Sequence, residues 1–454
     1  MSLAILKQLG MYLINGKKSD IEMLLILTLL LFVTLIVLYY ANKKDFTNPA
    51  VLITSVYFVA SLVAFLSSNG LSSDIHLHTL LVIVIAILIF VFGTFIGTRF
   101  KQKNQLTNVS DFIINEVKIN KKTIYLLSVI FIITTVLNFI FVYELSVRAG
   151  NIYGIEKMLN FAYKAKYDPN IDSEPNFVLT QMLVFMQVFA YFSIFTILYN
   201  FKLLKNKSNL MIYIFPIFIY IVNILLETGR TSFIRLFIFS FIVYGILGII
   251  SNKKFNNYKR SFKKKYIIIG VALFLLIYQS YGNLRGSLYT DWNYLIQYVG
   301  NPIYALDIFL QQSFDRPFFG SETLYSIYST LRTIGFDMPY KDISLPRVFW
   351  STGDTNIYTA LRRYINDYSF AGMMIIQFSL GLFYGYIHKR AIVRLKISSI
   401  ILYSMFIFPV VESILEERFF ITVLSVRTIY VLFYVFILLK FIFEKNEIIE
   451  RRLA

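Results

Sequence analysis

The residues best suited to chemistry in this chain are its arginines. Between Gly282 and Phe370 stand Arg285, Arg316, Arg332, Lys341, Arg347, Arg362 and Arg363, and Arg230 precedes them in Leu226-Glu-Thr-Gly-Arg-Thr-Ser. A guanidinium is a planar fork of donors that grips phosphate bidentately and stays charged at any relevant pH. Arg230 lies in a tight break between two apolar stretches and Arg285 follows a third, so both charges fall at lipid-headgroup depth. Two such groups beneath a loop that carries more would suit the pyrophosphate of a lipid-linked substrate. Singly, each has a plainer role, because arginines at helix ends snorkel, meet lipid phosphate or lock to carboxylates such as Glu227. As a group on one face they read as ligands.

The acids are fewer. A base able to strip a sugar hydroxyl would be a carboxylate or a histidine within hydrogen-bond reach. Glu227, Asp291, Asp307, Glu322, Asp354, Asp367, Glu412, Glu416 and Glu417 map to the same side, each with a helix cap or an arginine partner as its plainer role. Glu416-Glu417-Arg418 reads most simply as a charged turn between two spans. No histidine lies within 282–368; His76 and His78 sit in a small connector, and His388 at the opposite surface. Metal binding is not expected, because no Asp-x-Asp, His-x-x-x-His or Glu-x-x-His pair falls on this side and cysteine is absent. No phosphate-cradling glycine pattern occurs, which disfavours an ATP-driven machine. Trp292, Tyr294, Trp350 and Tyr358 are loop aromatics able to stack on sugar faces, although most of the 33 Tyr and 45 Phe are packing and interface belt.

What must position these residues is a membrane bundle. A 454-residue chain that is 57% hydrophobic and 15% charged is not a soluble globule. Apolar stretches long enough to cross about 30 Å of hydrocarbon recur. They fall at 23–41, 49–68, 77–98, 122–142, 176–200, 209–227, 232–250, 266–281, 369–387, 397–414 and 419–441. Backbone polar groups need internal partners in lipid, so these are helices, and the chain is expected to be an all-α polytopic membrane protein of 11–12 spans. The first sixteen residues read as an interfacial helix or part of a twelfth span, not a cleaved signal. The chain forms one integral membrane domain, 1–454, with a smaller outward loop at 143–175 and a large one at 282–368. Within the large loop, 291–312 has helical periodicity and would lie in the interface.

The net charge of +18 would suggest nucleic acid in a soluble protein, but its placement argues otherwise. More than half of the 44 basic residues sit in the short connectors 42–48, 99–121, 201–208, 251–265 and 388–396 and in the tail. Basic connectors stay cytoplasmic, which puts the N-terminus outside, the C-terminus inside and the arginine-rich loop outward.

Three features resemble the Wzy-type O-antigen and capsule repeat-unit polymerases: the break Thr228-Gly-Arg-Thr-Ser-Phe-Ile, the large late loop, and the stretch from Gly353 through Asn356-Ile-Tyr-Thr-Ala-Leu-Arg-Arg363 to Asp367-Tyr-Ser. Ser369 stands where that family commonly has Gly, and the Thr-Gly-Arg break lacks its Ser. The resemblance covers the topology and the motifs in about 226–240 and 282–372. It implies a GT-C-like fold and a metal-independent inverting glycosyltransferase without a cofactor, in the bacterial inner membrane. Its donor and acceptor would be undecaprenyl-pyrophosphate-linked oligosaccharides, joined into an O-antigen or capsule, with a chain-length regulator and a flippase as partners. Arg230 and Arg285 would hold the donor pyrophosphate. Arg362 and Arg363 would bind the second pyrophosphate or the acceptor, with Arg347, Asn356, Tyr358 and Trp292 contributing. Asp291, Asp354 or Asp367 would be the acceptor base, if the reaction needs one.

Two rivals remain. An O-antigen ligase resembles this architecture but usually carries a histidine in the large loop. A flippase or other transporter would show broken helices and charges at mid-membrane, whereas here the charges concentrate at span ends and in one loop.

Overall fold

The computed structural model describes residues 22–67, 75–100, 112–114, 116–166, 168, 170–204, 210–227, 229, 231–255, 292–312, 314, 316–350, 353–394, 396–440 and 449–451. The expected span 266–281 and the N-terminal segment lie outside them. Among the described residues, seven helices are long and apolar enough to cross a membrane, and four shorter apolar helices accompany them. In chain order the first are α1 (Glu22–Ala41), α2 (Pro49–Ser67), α3 (Leu77–Arg99) and α4 (Lys121–Arg148). A short α5 (Met158–Ala165) leads to α6 (Phe177–Tyr199), α7 (Leu210–Leu226) and α8 (Thr231–Phe255). Large apolar side chains on α1, α3 and α4, such as Val37, Leu88 and Leu126, are exposed, leaving flanks that only lipid would cover.

The large loop is built, not loose. It contains α9 (Trp292–Leu310), α10 (Tyr325–Thr333) and an antiparallel hairpin of β1 (Val348–Trp350) with β2 (Gly353–Thr355). The sequence-based expectation of an interfacial helix at 291–312 is corrected here. Ile303 through Leu306 are buried, and the Tyr304 hydroxyl donates to the Ala64 carbonyl at 3.3 Å, so α9 packs into the bundle against α2. A close approach permits this: a Cβ on Gly300 would lie 2.9 Å from the Ala64 Cα.

The strongest helix pairing joins α3 to α11 (Ala360–Arg394). Both helices carry glycines four apart, Gly93 and Gly97 on one, Gly381 and Gly385 on the other. A Cβ at Gly93 would sit 2.3 Å from the Phe378 oxygen, and one at Gly381 2.1 Å from the Phe90 oxygen. The backbones therefore touch, as small-residue stripes allow in membranes.

α11 is two helices joined at Ser369, whose φ of 64° and ψ of −179° are non-helical. The break frees carbonyls at the end of the first piece. Arg316 fills that role, its Nε donating to the Asn366 oxygen at 2.6 Å and its Nη2 to the Ile365 oxygen at 3.1 Å. The next span is also broken, into α12 (Ile397–Phe406) and α13 (Phe408–Glu412) around Ile407 and Pro409. A π-helical turn, Phe419–Val423, then precedes α14 (Val426–Leu438).

Candidate functional site

The break at Ser369 turns the charged first piece of α11, 360–368, into the protein. There the Ala360 N–H donates to the Ser413 carbonyl at 2.7 Å, and the Tyr57 hydroxyl reaches the same oxygen at 3.4 Å. Tyr57 lies eight residues into α2, about 12 Å along its axis at 1.5 Å per residue. The arginines of this piece are thus set within the bundle rather than above it.

An unbroken chain of ion pairs runs through this region. Arg235 on α8 forks onto Glu412 at 3.2 and 3.3 Å, and Glu412 also meets Arg418 at 3.5 Å. Arg418 pairs with Glu416 at 2.6 Å, and Glu416 with Arg363 at 3.3 Å. Glu322 closes the chain, paired with Arg362, with Lys341 at 3.2 Å and with Arg363 at 3.7 Å. Five cations meet three carboxylates along it. Buried charges survive only when paired, and here Arg362 and Arg363 share the single carboxylate of Glu322.

The arginine pair is held from several sides. The Arg362 guanidinium stacks between Phe309, at 4.8 Å, and Tyr358, at 4.9 Å. Tyr358 is fixed in turn by donating to the Pro346 carbonyl at 2.9 Å. Arg363 is 2% exposed, and its Nη2 donates to the Ile343 carbonyl at 3.0 Å. Even so, Arg362 Nε and Arg363 Nε and Nη1 are buried without a hydrogen-bond partner. Such donors cost about 1–3 kcal/mol each when left unmade, and more when charged.

Two further carboxylates beside the chain are satisfied without cations. Asp367 accepts from the Thr323 N–H at 2.7 Å, the Thr323 hydroxyl at 2.8 Å, the Glu322 N–H at 3.1 Å and the Ser321 hydroxyl at 3.0 Å. Glu417 is fully buried; it accepts from Tyr364 at 3.0 Å and from the backbone N–H groups of Phe419, Phe420 and Ile421. Burial pushes its carboxyl above the usual glutamate range, against the pull of those donors. Residues 416–418 lie between two helices, as the sequence suggested, and all three are also structural members of the site.

Of the residues singled out in the sequence, Arg362, Arg363 and Tyr358 come together here. Asp367 adjoins them as a brace. Asp354 and Arg347 pair with each other across the β1–β2 hairpin, both partly exposed and outside the chain of ion pairs. Asn356 is exposed. Arg230, Arg285 and Asp291 lie outside the described residues, as does the side chain of Trp292, which opens α9. Glu322, Glu412 and Glu416 take the arginine-partner role that the sequence offered as their plainer one, Lys341 joins them from the outward cations, and Arg235 is the member the sequence reading did not name. Arg235 had a usable signal, a lone charge inside the apolar run 232–250.

A second pair, His76 Nδ1 and Asp307 at 2.9 Å, lies nearby but not in the site. Asp307 and Phe309 are two positions apart on α9, about 200° around the helix, so the dyad faces away from Arg362. Asp307 instead caps α3, accepting from the His76 N–H at 2.8 Å and the Thr79 hydroxyl at 2.6 Å.

Comparison with protein families, with curated proteins and with solved structures finds no match to this chain.

Proposed function

We propose that this protein is an inverting glycosyltransferase that joins oligosaccharide units carried on a lipid diphosphate into a surface polysaccharide, at the outer face of a bacterial inner membrane. One observation carries the reading: a buried arginine pair with unmade N–H donors, set in an ion-pair chain richer in cations than in carboxylates. In this reaction the acceptor hydroxyl oxygen bonds to the anomeric carbon of the donor sugar. The carbon–oxygen bond to the diphosphate breaks, its electron pair leaves with the phosphate, and the proton given up by the acceptor hydroxyl passes to the departing diphosphate or to water. Preformed guanidinium donors stabilise that leaving charge in a water-poor site, the kind of electrostatic help that contributes most to such reactions. Arg362 and Arg363 would hold one diphosphate; Arg230 and Arg285 are the candidates for the other. A strong base is not required when the leaving group is this stabilised, and Asp367 is fully engaged as a brace.

The transporter reading gains support from two features. Helices break at Ser369 and Ile407, and the charges lie within the bundle rather than at span ends as the sequence suggested. Gels of surface polysaccharide from cells lacking the gene separate the readings. A polymerase leaves a single repeat unit on its acceptor; a ligase leaves long polymer on the lipid carrier; a transporter leaves no repeat at the outer face. Complementation by wild type, but not by Arg363→Ala at equal protein level, ties the activity to the arginine pair.

A further inference from the structure

We propose that Glu322 is an internal stand-in for the substrate anion, occupying the arginine pair in the resting chain and yielding it to an incoming diphosphate. The inference rests on the functional reading above and names what that site takes and what it must displace.

Glu322 is 2% exposed, and its carboxylate is the point on which four donors converge. Arg362 meets Oε2, Arg363 approaches the same oxygen at 3.7 Å, Lys341 reaches Oε1 at 3.2 Å, and the Asn366 side-chain amide donates to Oε1 at 3.1 Å. Two cationic forks, an ammonium and an amide around one small anion form a cradle larger than its occupant. The mismatch is visible in Arg362 Nε and in Arg363 Nε and Nη1, which are buried and find no hydrogen-bond acceptor. A diphosphate offers more non-bridging oxygens than a carboxylate and would meet donors that Glu322 leaves unmet.

The charge count favours the same ligand. With Glu322 withdrawn, Arg362 and Lys341 lose their carboxylate, while Glu416 stays on Arg363 and Glu412 on Arg235 and Arg418. A diphosphate ester brings at least two negative charges to the cations Glu322 would release, where a phosphodiester brings one. The backbone here is fixed for a side-chain movement alone. Asp367 grips the Glu322 and Thr323 N–H groups, and Arg316 ties the neighbouring segment to the end of the first piece of α11. Glu322 can therefore swing while the loop that carries it stays docked.

The test is calorimetric titration of the full chain in nanodiscs with inorganic pyrophosphate and, separately, with a polyprenyl diphosphate. If the carboxylate holds the site most of the time, ligand affinity is reduced by the fraction of sites left open. Glu322→Gln should then bind about tenfold tighter or better than wild type. Because Glu322→Gln removes a buried charge on which folding also draws, Glu322→Asp is measured beside it. Its carboxylate is one methylene shorter and should also raise affinity, by a smaller factor. Equal or weaker binding by a folded Glu322→Gln or Glu322→Asp protein would overturn the proposal and make Glu322 a structural clamp. Preference for the polyprenyl diphosphate assigns the ligand to a lipid, and preference for inorganic pyrophosphate to a soluble source. Tighter binding by the variants, with normal polysaccharide in cells lacking the gene, would uphold the role of Glu322 and remove the polymerase reading.

Discussion

Asp367 and Arg363 stand four positions apart on the first piece of α11, yet one is saturated with partners and the other is not. Asp367 has two backbone N–H donors and two hydroxyls and nothing left to offer a substrate. Asp367→Asn should lower stability by about 1.5–3 kcal/mol, the range for hydrogen bonds to a charged group. Activity per folded molecule should persist, as measured by thermal unfolding in detergent beside the polysaccharide ladder; loss of activity without loss of stability would make it the acceptor base after all. Glu417 gives a pH signature. Its carboxyl titrates above the usual glutamate range because it is buried. The native state thus holds this proton more tightly than the unfolded chain, and stability falls as pH rises through that window. Glu417→Gln lacks the titration, so its unfolding midpoint should gain on wild type as pH rises above the ordinary glutamate range. Parallel midpoints across that range would contradict the assignment. The arginine pair was legible in the sequence because two adjacent guanidiniums before an apolar span have few bland uses. Glu322 was not, because a lone acid 40 residues upstream has no spacing that reveals its partner.

Ser369 shows how an element can carry strain. Its φ of 64° with extended ψ is a region essentially reserved for glycine. Glycine is what the family that this stretch resembles would place here, and these dihedral angles are ones glycine adopts without strain. Ser369→Gly should raise stability by about 1 kcal/mol, the relief of strain less the added chain entropy. A fall in the unfolding midpoint would mean that the serine contributes contacts outweighing its backbone cost. Helices were legible wherever apolar runs were long. The break at Ile407 was not, since it interrupts a run whose hydrophobicity continues on both sides, whereas Ser369 falls where the expected span 369–387 begins and only the helix continuing before it was missed. The placement of α9 was missed for a related reason. Its polar residues suggested an interfacial helix, but Asp307 spends its charge capping α3 and Gly300 lets the backbone close on α2.

For the molecule as a whole, the bare apolar flanks and the seven long helices fit a bilayer environment. The direction of insertion rests on the basic connectors, and the absence of cysteine makes it directly measurable. Single cysteines at Asn356, which is exposed, and at Lys396 should react with an impermeant maleimide from opposite sides of intact cells, Asn356 from outside. Labelling of Lys396→Cys alone from outside would invert the topology and place the site in the cytoplasm.

The account stands or falls on whether this chain alone extends a glycan on a lipid diphosphate. The direct measurement is a polymerisation assay on purified protein in proteoliposomes supplied with the lipid-diphosphate-linked repeat unit. Wild type should convert single repeats into a ladder, and Arg363→Lys, which keeps the charge but loses the planar fork, should lose most of that activity while remaining folded. A ladder of undiminished length from Arg363→Lys, or no ladder from active wild-type preparations, would contradict the central claim.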